Sequence, residues 1–367
     1  MKPAIAKMNL LGLTRDDFQR LASEYGREPY RGRQLYHAIY GRREREINAI
    51  TDLSREFREQ VATNHCVAYP RTLRQFVSRD GSVRYLLSLE DGQTVEAVYM
   101  PTEQGDRDRT TLCVSSQVGC AVDCKFCFTG LLGLRRNLTA GEIVGQVLAL
   151  TVAQSIPPKA RLSVVFMGQG EPLLNLGPVM KAVSILASTD GCGIALRRIT
   201  ISTAGIVPRI YDLAREPVRP NLAISLNASN EEQRIALMPI TRKYSLRDLM
   251  EACRAYPLQP RERLTFEYVM LEGINDSDAD ARRVAQQLRG ITARVNLIPY
   301  NGGVGLPYRA SPLARVLEFQ KILGERGVPA FIRISRGQDI MAACGQLSLV
   351  DNSQPVPALR EQRASIS

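Results

Sequence analysis

The chain has 367 residues, 44% hydrophobic and 23% charged, which is ordinary for a soluble globular protein and enough to bury a sizeable core. No stretch approaches the roughly 20 apolar residues of a transmembrane helix, so membrane insertion is excluded as a class. The formal net charge of +11 points towards an anionic partner such as nucleic acid, although an ordinary basic protein also accounts for charge taken alone.

The chain opens Met1-Lys2-Pro3-Ala4 and runs directly into Asn9-Leu10-Leu11-Gly12-Leu13-Thr14, with no apolar signal core, and this predicts a cytoplasmic protein. Residues 8 to 65 then alternate helical pattern with turn residues. Thr14 is placed to cap a helix running through Ala22, Gly26 to end it, and Ser54 to cap Arg55 to Ala62. From Leu73 to Met100 the pattern shifts to short runs such as Arg84-Tyr85-Leu86-Leu87-Ser88-Leu89, separated by Arg79-Asp80-Gly81 and Glu90-Asp91-Gly92. Those tripeptides are hairpin signals, so a β-meander is expected to join the helical unit to the larger C-terminal part of the chain.

After Thr110 strand and helix patterns alternate, which predicts a parallel sheet with crossover helices. The strands expected are Leu112 to Val118, Ser163 to Met167, Ile199 to Thr203, Leu222 to Leu226, Leu264 to Met270 and Val295 to Pro299. Thr139-x-x-Glu142 reads as a capping box ahead of Ile143, Val147 and Leu150, and Val179, Val183 and Leu186 repeat the same spacing. A last strand over Ala330 to Ile334 leads into Asp339-Ile340-Met341-Ala342-Ala343-Cys344. The expected organisation is a helical accessory unit over 1–70, a β-meander over 71–110, an incomplete α/β barrel over 111–350 and a disordered tail over 351–367. Arginines cluster at Arg31 with Arg33, Arg42-Arg43 with Arg45, Arg135-Arg136, Arg197-Arg198, and Arg333 with Arg336; each cluster taken alone reads as a solvated face.

The eight cysteines have no secretory context, so they read as reduced thiols, metal ligands or catalytic groups. Cys66, Cys192 and Cys253 are scattered and read as small apolar core residues. Cys120, Cys124 and Cys127 lie in Gly119-Cys120-Ala121-Val122-Asp123-Cys124-Lys125-Phe126-Cys127, just after the first parallel strand, where barrel active sites form. Three thiolates serving four irons leave one iron open to another ligand, the arrangement of radical S-adenosylmethionine enzymes. Zinc is the rival, but it prefers four Cys or His ligands. The two histidines, His37 and His65, fall in the N-terminal unit, and Cys113 sits in the preceding strand rather than in a partner knuckle.

With Thr111-Leu112-Cys113-Val114-Ser115-Ser116-Gln117-Val118-Gly119-Cys120, Gly168-Gln169-Gly170-Glu171-Pro172-Leu173-Leu174-Asn175 and Asp339-Ile340-Met341-Ala342-Ala343-Cys344-Gly345-Gln346-Leu347, nearly the whole chain resembles the ribosomal RNA large-subunit methyltransferase N family. These are radical S-adenosylmethionine enzymes that methylate an adenine ring carbon. The resemblance implies an incomplete (β/α)6 barrel with an N-terminal accessory domain. It implies one [4Fe-4S] cluster on Cys120, Cys124 and Cys127, two S-adenosylmethionine molecules per turnover, and cofactor contacts at Gly170, Glu171, Ser202, Ser225, Leu226, Asn227 and Asn301.

The resemblance also implies a methyl relay. Cys344 is first methylated, hydrogen is removed from that methyl by a 5′-deoxyadenosyl radical, and the methylene radical adds to the ring. Glu96 takes the ring proton, and Cys113 resolves the resulting protein–RNA thioether with formation of a Cys113–Cys344 disulfide. From its local sequence alone Cys344 reads as a buried helix residue and Glu96 as an exposed strand carboxylate. The implied partners are 23S ribosomal RNA near the peptidyl-transferase centre, transfer RNA beside the anticodon, and an electron donor such as flavodoxin or ferredoxin, with the enzyme acting as a monomer.

The chain departs from the family pattern at Asn227, where histidine is common, at Gln169, where methionine is common, and at Phe128, which is bulkier than usual and is expected to reshape the cofactor pocket. Glu171-Pro172-Leu173-Leu174-Asn175 resembles the branch that methylates adenine C2. The alternatives are the C8 branch associated with antibiotic resistance, and a non-methylating RNA-binding protein with a structural cluster.

Overall fold

The computed structural model describes residues 7–101, 110–302 and 306–347; the expected tail over 351–367 lies outside the described residues. The N-terminal helices are α1 (Arg15–Glu24), α2 (Pro29–Tyr36) and α3 (Arg55–Asn64). Short strands β1 (Met8–Asn9) and β2 (His65–Cys66) pair in parallel and close this unit. Thr14 caps α1 in a capping box with Asp17, and Ser54 caps α3, as their sequence positions predict. Phe18, Tyr36 and Tyr40 form an edge-to-face aromatic core, with centroids 4.9 to 6.1 Å apart.

The meander strands β3 (Arg71–Val77), β4 (Val83–Ser88) and β5 (Thr94–Pro101) are antiparallel, and β5 pairs antiparallel with β6 (Thr110–Cys113). The expected strand from Leu112 to Val118 is therefore two strands: β6 ends at Cys113, and β7 (Gln117–Gly119) leaves the main sheet to pair with β8 (Leu134–Asn137). The break arises from side-chain hydrogen bonding. Gln146 Oε1 accepts from the Ser115 amide, and Ser116 donates its amide to the Gln169 carbonyl, which pulls the chain out of the ladder.

The barrel continues through β9 (Leu162–Phe166), β10 (Ile199–Thr203), β11 (Asn221–Ser225), β12 (Leu264–Met270), β13 (Ala293–Pro299) and β14 (Ala330–Ile332). All these pairings are parallel, and with the meander they make one ten-stranded sheet of order β14-β13-β12-β11-β10-β9-β6-β5-β4-β3 among the described residues. The last strand stops two residues short of the expected Ile334. After the short α4 (Phe128–Leu132), helices pack between the strands: α5 (Ala140–Ala153), α6 (Leu176–Ala187), α7 (Val207–Arg215), α8 (Glu231–Leu237), α9 (Leu246–Ala255), α10 (Asp278–Gln287) and α11 (Leu313–Glu325). The periodic residues Ile143, Val147, Leu150, Val179, Val183 and Leu186 are all buried against the sheet.

The N-terminal unit docks on α5 and α6. Gly12, at φ +90°, lies so close to Gly141 that a side chain there would meet its backbone nitrogen at 2.4 Å, so only glycine permits this approach. Lys181 of α6 pairs with Asp17 at 3.0 Å. The His37 ring contacts the Asp190 carbonyl at 3.0 Å, just beyond the end of α6.

The sheet does not close on itself, and residues 333–347 strap across the opening. Asp339 accepts from the Ser78 hydroxyl at 2.6 Å and from the Arg79 amide, and Asp80 accepts from the Gly337 amide at 2.8 Å. These bonds tie the strap to the β3–β4 hairpin. The fold is an incomplete (β/α)6 barrel with an antiparallel extension and an N-terminal helical unit.

Candidate active site

The cysteine loop leaves β7 at Gly119 and is fixed at several points. Cys120 donates its amide to the Gly133 carbonyl, Cys127 donates to Cys124, and Lys125 donates to Leu237 at the end of α8. The Phe128 amide donates to the Gly345 carbonyl at 2.8 Å, and the Thr129 hydroxyl donates to the Leu347 carbonyl at 2.6 Å. The loop and the strap carrying Cys344 are thereby held as one piece.

Cys120, Cys124 and Cys127 line a cavity of about 160 Å³ at the C-terminal ends of the strands, together with Gly170, Glu171, Ser202, Ser225, Asn227 and Cys344. Burial pushes the Cys120 thiol up to about 12 and raises those of Cys124 and Cys127, so without a cation these groups are neutral thiols. Among the described residues no three His, Cys, Asp or Glu side chains converge on a single metal ion. Three half-buried thiols spread around one cavity suit a larger iron–sulfur body with its ligands at the corners.

Glu171 is fixed at the cavity wall. Its carboxylate accepts from the Leu173 amide at 3.0 Å and the Ala204 amide at 2.7 Å, and its own amide donates to Gln117. Burial pushes its carboxyl up to about 7, against the lowering effect of those two amides. Gly170, at φ +101°, packs against the Gln117 side chain, where a Cβ would fall 2.6 Å from it. The Asn227 backbone is left-handed at φ 55°, a region Asn tolerates. Its amide oxygen accepts from the Val269 amide at 2.9 Å, and its NH₂ group faces the Met238 sulfur at 3.4 Å.

Several sequence expectations fall elsewhere. The Leu226 side chain is wholly buried in the hydrophobic core and does not line the cavity. The cause is strand alternation, since Leu226 points opposite to Ser225. Asn301 also lies off the lining: its NH₂ group donates to the Ser335 hydroxyl at 2.8 Å and to the Cys344 carbonyl at 3.4 Å, so it secures the strap. Phe128 is buried without touching the cavity, and Phe126 lines it instead. Of the scattered thiols only Cys253 is buried; Cys66 and Cys192 are half-buried.

A second cavity, of about 570 Å³, fills the barrel lumen and is lined by Cys113, Thr111, Ser163, Thr200, Thr265, Asn296 and Cys344, among others. Met167, Glu267, Ile298 and Cys344 line both cavities and form a waist between them. Cys344 lies in an irregular turn after the single 3₁₀ turn Gln338–Ile340, not in a helix, and is exposed because it faces these two spaces. Although it is open to these cavities, desolvation by the protein packed around it, then the Glu267 carboxylate, pushes its thiol up to about 11. Cys113 is buried, with its thiol raised by burial and by the proximity of Cys344.

Glu96 is only 1% exposed, contrary to its reading as a surface carboxylate. It forms an ion pair with wholly buried Arg84 at 2.6 Å, and Gln169 reaches both its amide and its carboxylate. The β4–β5 register puts the side chains of Arg84, Glu96 and Val98 on one face of the sheet, which a single strand's composition does not reveal. Glu96 lines neither cavity, but lies on the same face of β5 as Met100, which lines the lumen.

Sequence reading missed Arg234 and Glu267. Arg234 is wholly buried and donates to the carbonyls of Ala204, Ser225 and Leu226 and to the Thr241 hydroxyl, joining the ends of β10 and β11. Glu267, 8% exposed, accepts from Asn296 at 2.9 Å at the waist. A lone carboxylate in a run of strand residues, Leu264-Thr265-Phe266-Glu267-Tyr268, was the available signal for Glu267.

Residues 114–284 match the radical SAM superfamily and residues 8–67 match the ribosomal RNA large subunit methyltransferase N-terminal domain. The chain is 52% identical over 335 residues to the probable dual-specificity RNA methyltransferase RlmN of Koribacter versatilis, covering 88% of this chain and 96% of that one. It is 46% identical over 346 residues to the dual-specificity RNA methyltransferase RlmN of Anaeromyxobacter, covering 93% and 90%. The crystal structure of a radical SAM methyltransferase from Sphaerobacter thermophilus superposes with a TM-score of 0.86 at 42% identity, covering 93% of this chain and 99% of that one. Superfamily membership carries a [4Fe-4S] cluster and S-adenosylmethionine. The three-thiol loop, the barrel and the N-terminal unit therefore place this chain in the RlmN family of radical S-adenosylmethionine-dependent RNA methyltransferases.

Proposed function

We propose that this enzyme methylates C2 of adenine in 23S ribosomal RNA near the peptidyl-transferase centre and in transfer RNA beside the anticodon, by a methyl relay through Cys344 and Cys113. The observation that carries the relay is that Cys344 faces both the three-thiol cavity and the lumen, while Cys113 faces the lumen. A methyl group on Cys344 can thus be reached from the cofactor side and delivered to a base on the other.

In this reading Cys120, Cys124 and Cys127 hold the cluster, and Gly170, Glu171, Ser202, Ser225 and Asn227 hold S-adenosylmethionine, while Asn301 acts through the strap. The bound cluster, charged by a donor such as flavodoxin or ferredoxin, supplies the electron that splits S-adenosylmethionine to a 5′-deoxyadenosyl radical. Cys344 accepts the methyl of one S-adenosylmethionine and presents it for hydrogen abstraction, which consumes a second. Its methylene radical then adds to the ring carbon, and the adduct returns one electron to the donor system as the ring proton leaves, which restores the aromatic ring in a closed-shell thioether. Glu96, which lines neither cavity while paired with the Arg84 guanidinium, must turn into the lumen to take the ring proton. Cys113, once it has given up its proton, attacks the Cys344 sulfur: the S–S bond forms as the Cys344 S–CH2 bond breaks, the electron pair stays on the carbon, and that carbon takes a proton to become the methyl group of the RNA released from a monomeric enzyme. An external thiol reductant then reopens the disulfide. The helical unit of residues 1–70 adds backbone contacts to folded RNA.

The test is to reconstitute the protein anaerobically, incubate it with 23S ribosomal RNA and transfer RNA, and identify the modified nucleoside by digestion and mass spectrometry. The expected product is 2-methyladenosine in both RNAs. Only 8-methyladenosine would reject the ring carbon proposed. Absence of both 5′-deoxyadenosine and methyl-Cys344 would reject the relay and favour a structural cluster.

A further inference from the structure

The lumen has a charged mouth at the end opposite the cysteine loop. Arg197 and Arg198 precede β10 and Arg294 lies at the start of β13, while Arg333 follows β14 beside Leu297, nearer the waist; all four line the lumen cavity. Arg197, Arg294 and Arg333 are exposed and Arg198 is half-buried. None of the four forms an ion pair with a carboxylate among the described residues. Glu267, deep at the waist, is the single carboxylate among the described lining residues. The remaining wall near the mouth is polar and small, as at Ser163 and Thr200.

A ring carbon cannot be reached inside a base stack, so an enzyme acting on it must extrude the nucleotide into a pocket. An extruded nucleotide brings the phosphates on its two sides to the pocket rim. A lumen of about 570 Å³ falls within the size of small-ligand pockets, and its inner end meets the two thiols. We propose that RNA enters the barrel through this N-terminal mouth, opposite the cofactor, with Arg197, Arg198 and Arg294 at the rim and Arg333 further in along the wall gripping the phosphates that flank the extruded adenosine. The N-terminal unit reaches the same side. Its Arg43 guanidinium donates to the Ile156 and Pro157 carbonyls just beyond α5, and the ends of α5 and α6 lie at the N-terminal side of the sheet. Base and cofactor then approach Cys344 from opposite sides of the waist, so neither must leave before the other binds.

This inference rests on the proposed RNA methylation and is tested separately from it. The full-length reconstituted protein and its Arg197→Gln/Arg198→Gln and Arg294→Gln/Arg333→Gln variants are titrated with a stem-loop of the methylated RNA over a range of salt. Thermal midpoints are measured on the same samples to establish folding. Each lost phosphate contact should lower the slope of log affinity against log salt by about 0.7 to 1, and each pair should weaken binding about tenfold or more at moderate salt. Lysine at the same positions should restore most of the slope, because phosphate accepts a point charge. Unchanged slope and affinity in both folded glutamine variants would overturn the mouth as the entrance. So would a slope lost only with Arg31→Gln/Arg33→Gln in the N-terminal unit. Wild-type protein that binds the stem-loop but transfers no methyl group would overturn the function and leave the slope comparison to judge the mouth.

Discussion

Cys113 on β6 and Cys344 in the C-terminal strap, distant in sequence, line one lumen; burial raises both thiols, and the proximity of Cys344 raises Cys113 further. Both are free thiols. The relay assigns them different steps, which single substitutions separate. Cys344→Ala should take up no methyl group and lose turnover by at least about 10³-fold. Cys113→Ala should still acquire the methyl group and then stall as a protein–RNA adduct, visible as a nuclease-trimmed mass increase. Multiple turnover by either variant rejects the assignment.

The Arg84–Glu96 pair makes a stability prediction independent of catalysis. Both partners are almost wholly buried, and the guanidinium also lies 4.1 Å from the Phe76 ring centroid. Removing one charge of such a pair costs roughly 3 to 5 kcal/mol, because the other stays desolvated. Glu96→Ala should lower the urea midpoint accordingly. Arg84→Met/Glu96→Leu should recover much of the loss while remaining inactive. A Glu96→Ala midpoint equal to wild type would show that the pair is relaxed in solution.

Asn227 occupies a left-handed backbone position and bonds the Val269 amide from its side chain, while its carbonyl accepts from Asn275 at 2.8 Å. Asn227→Ala leaves the Val269 amide unsatisfied beside the cofactor cavity, at a cost of about 1 to 3 kcal/mol. The expected result is a lower unfolding midpoint together with several-fold weaker S-adenosylmethionine binding by calorimetry. Loss of stability with unchanged binding would make Asn227 a fold residue only.

Asp17 predicts a pH dependence for the docking of the N-terminal unit. Burial alone would raise its carboxyl. Hydrogen bonds from the Thr14 amide and from Lys181, the Thr14 hydroxyl and Arg20 outweigh that effect and hold it well below the usual carboxylate range. A depressed carboxyl contributes stability above its unfolded value, and that contribution is lost as pH falls through the folded one. Asp17→Asn should therefore cost about 1 kcal/mol at neutral pH, in the range of lost caps, and the gap from wild type should narrow as the pH falls below about 4. A gap independent of pH between about 7 and 3 would contradict this account of the ion pair.

Local sequence was sufficient for features with local causes. The Thr14 and Thr139 capping boxes form where their spacing places them, because N-cap and N3 side chains find each other within one turn. The barrel strands β9 to β13 form within two residues of their expected ends. The break after Cys113 is invisible in local sequence because it depends on Gln146 and Gln169, remote along the chain. Glu96 reads as exposed because one strand's composition does not reveal the neighbouring Arg84. Arg234 resembles any helix arginine until α8 is seen to point it at the carbonyl ends of two strands.

The three-cysteine loop is legible because its thiols are separated by two or three residues, so local backbone geometry alone brings them near one another. The sequence by itself therefore pointed to iron–sulfur chemistry through the three-cysteine spacing, and gave most of the order of helices and strands and, through its motifs, the family. Tertiary structure alone decided that Cys344 stands between two cavities, that Leu226 and Asn301 lie off the cavity lining, and that four scattered arginines line one lumen. Sequence records neighbours along the chain, whereas a cavity is formed by residues that sheet order and a closing strap bring together.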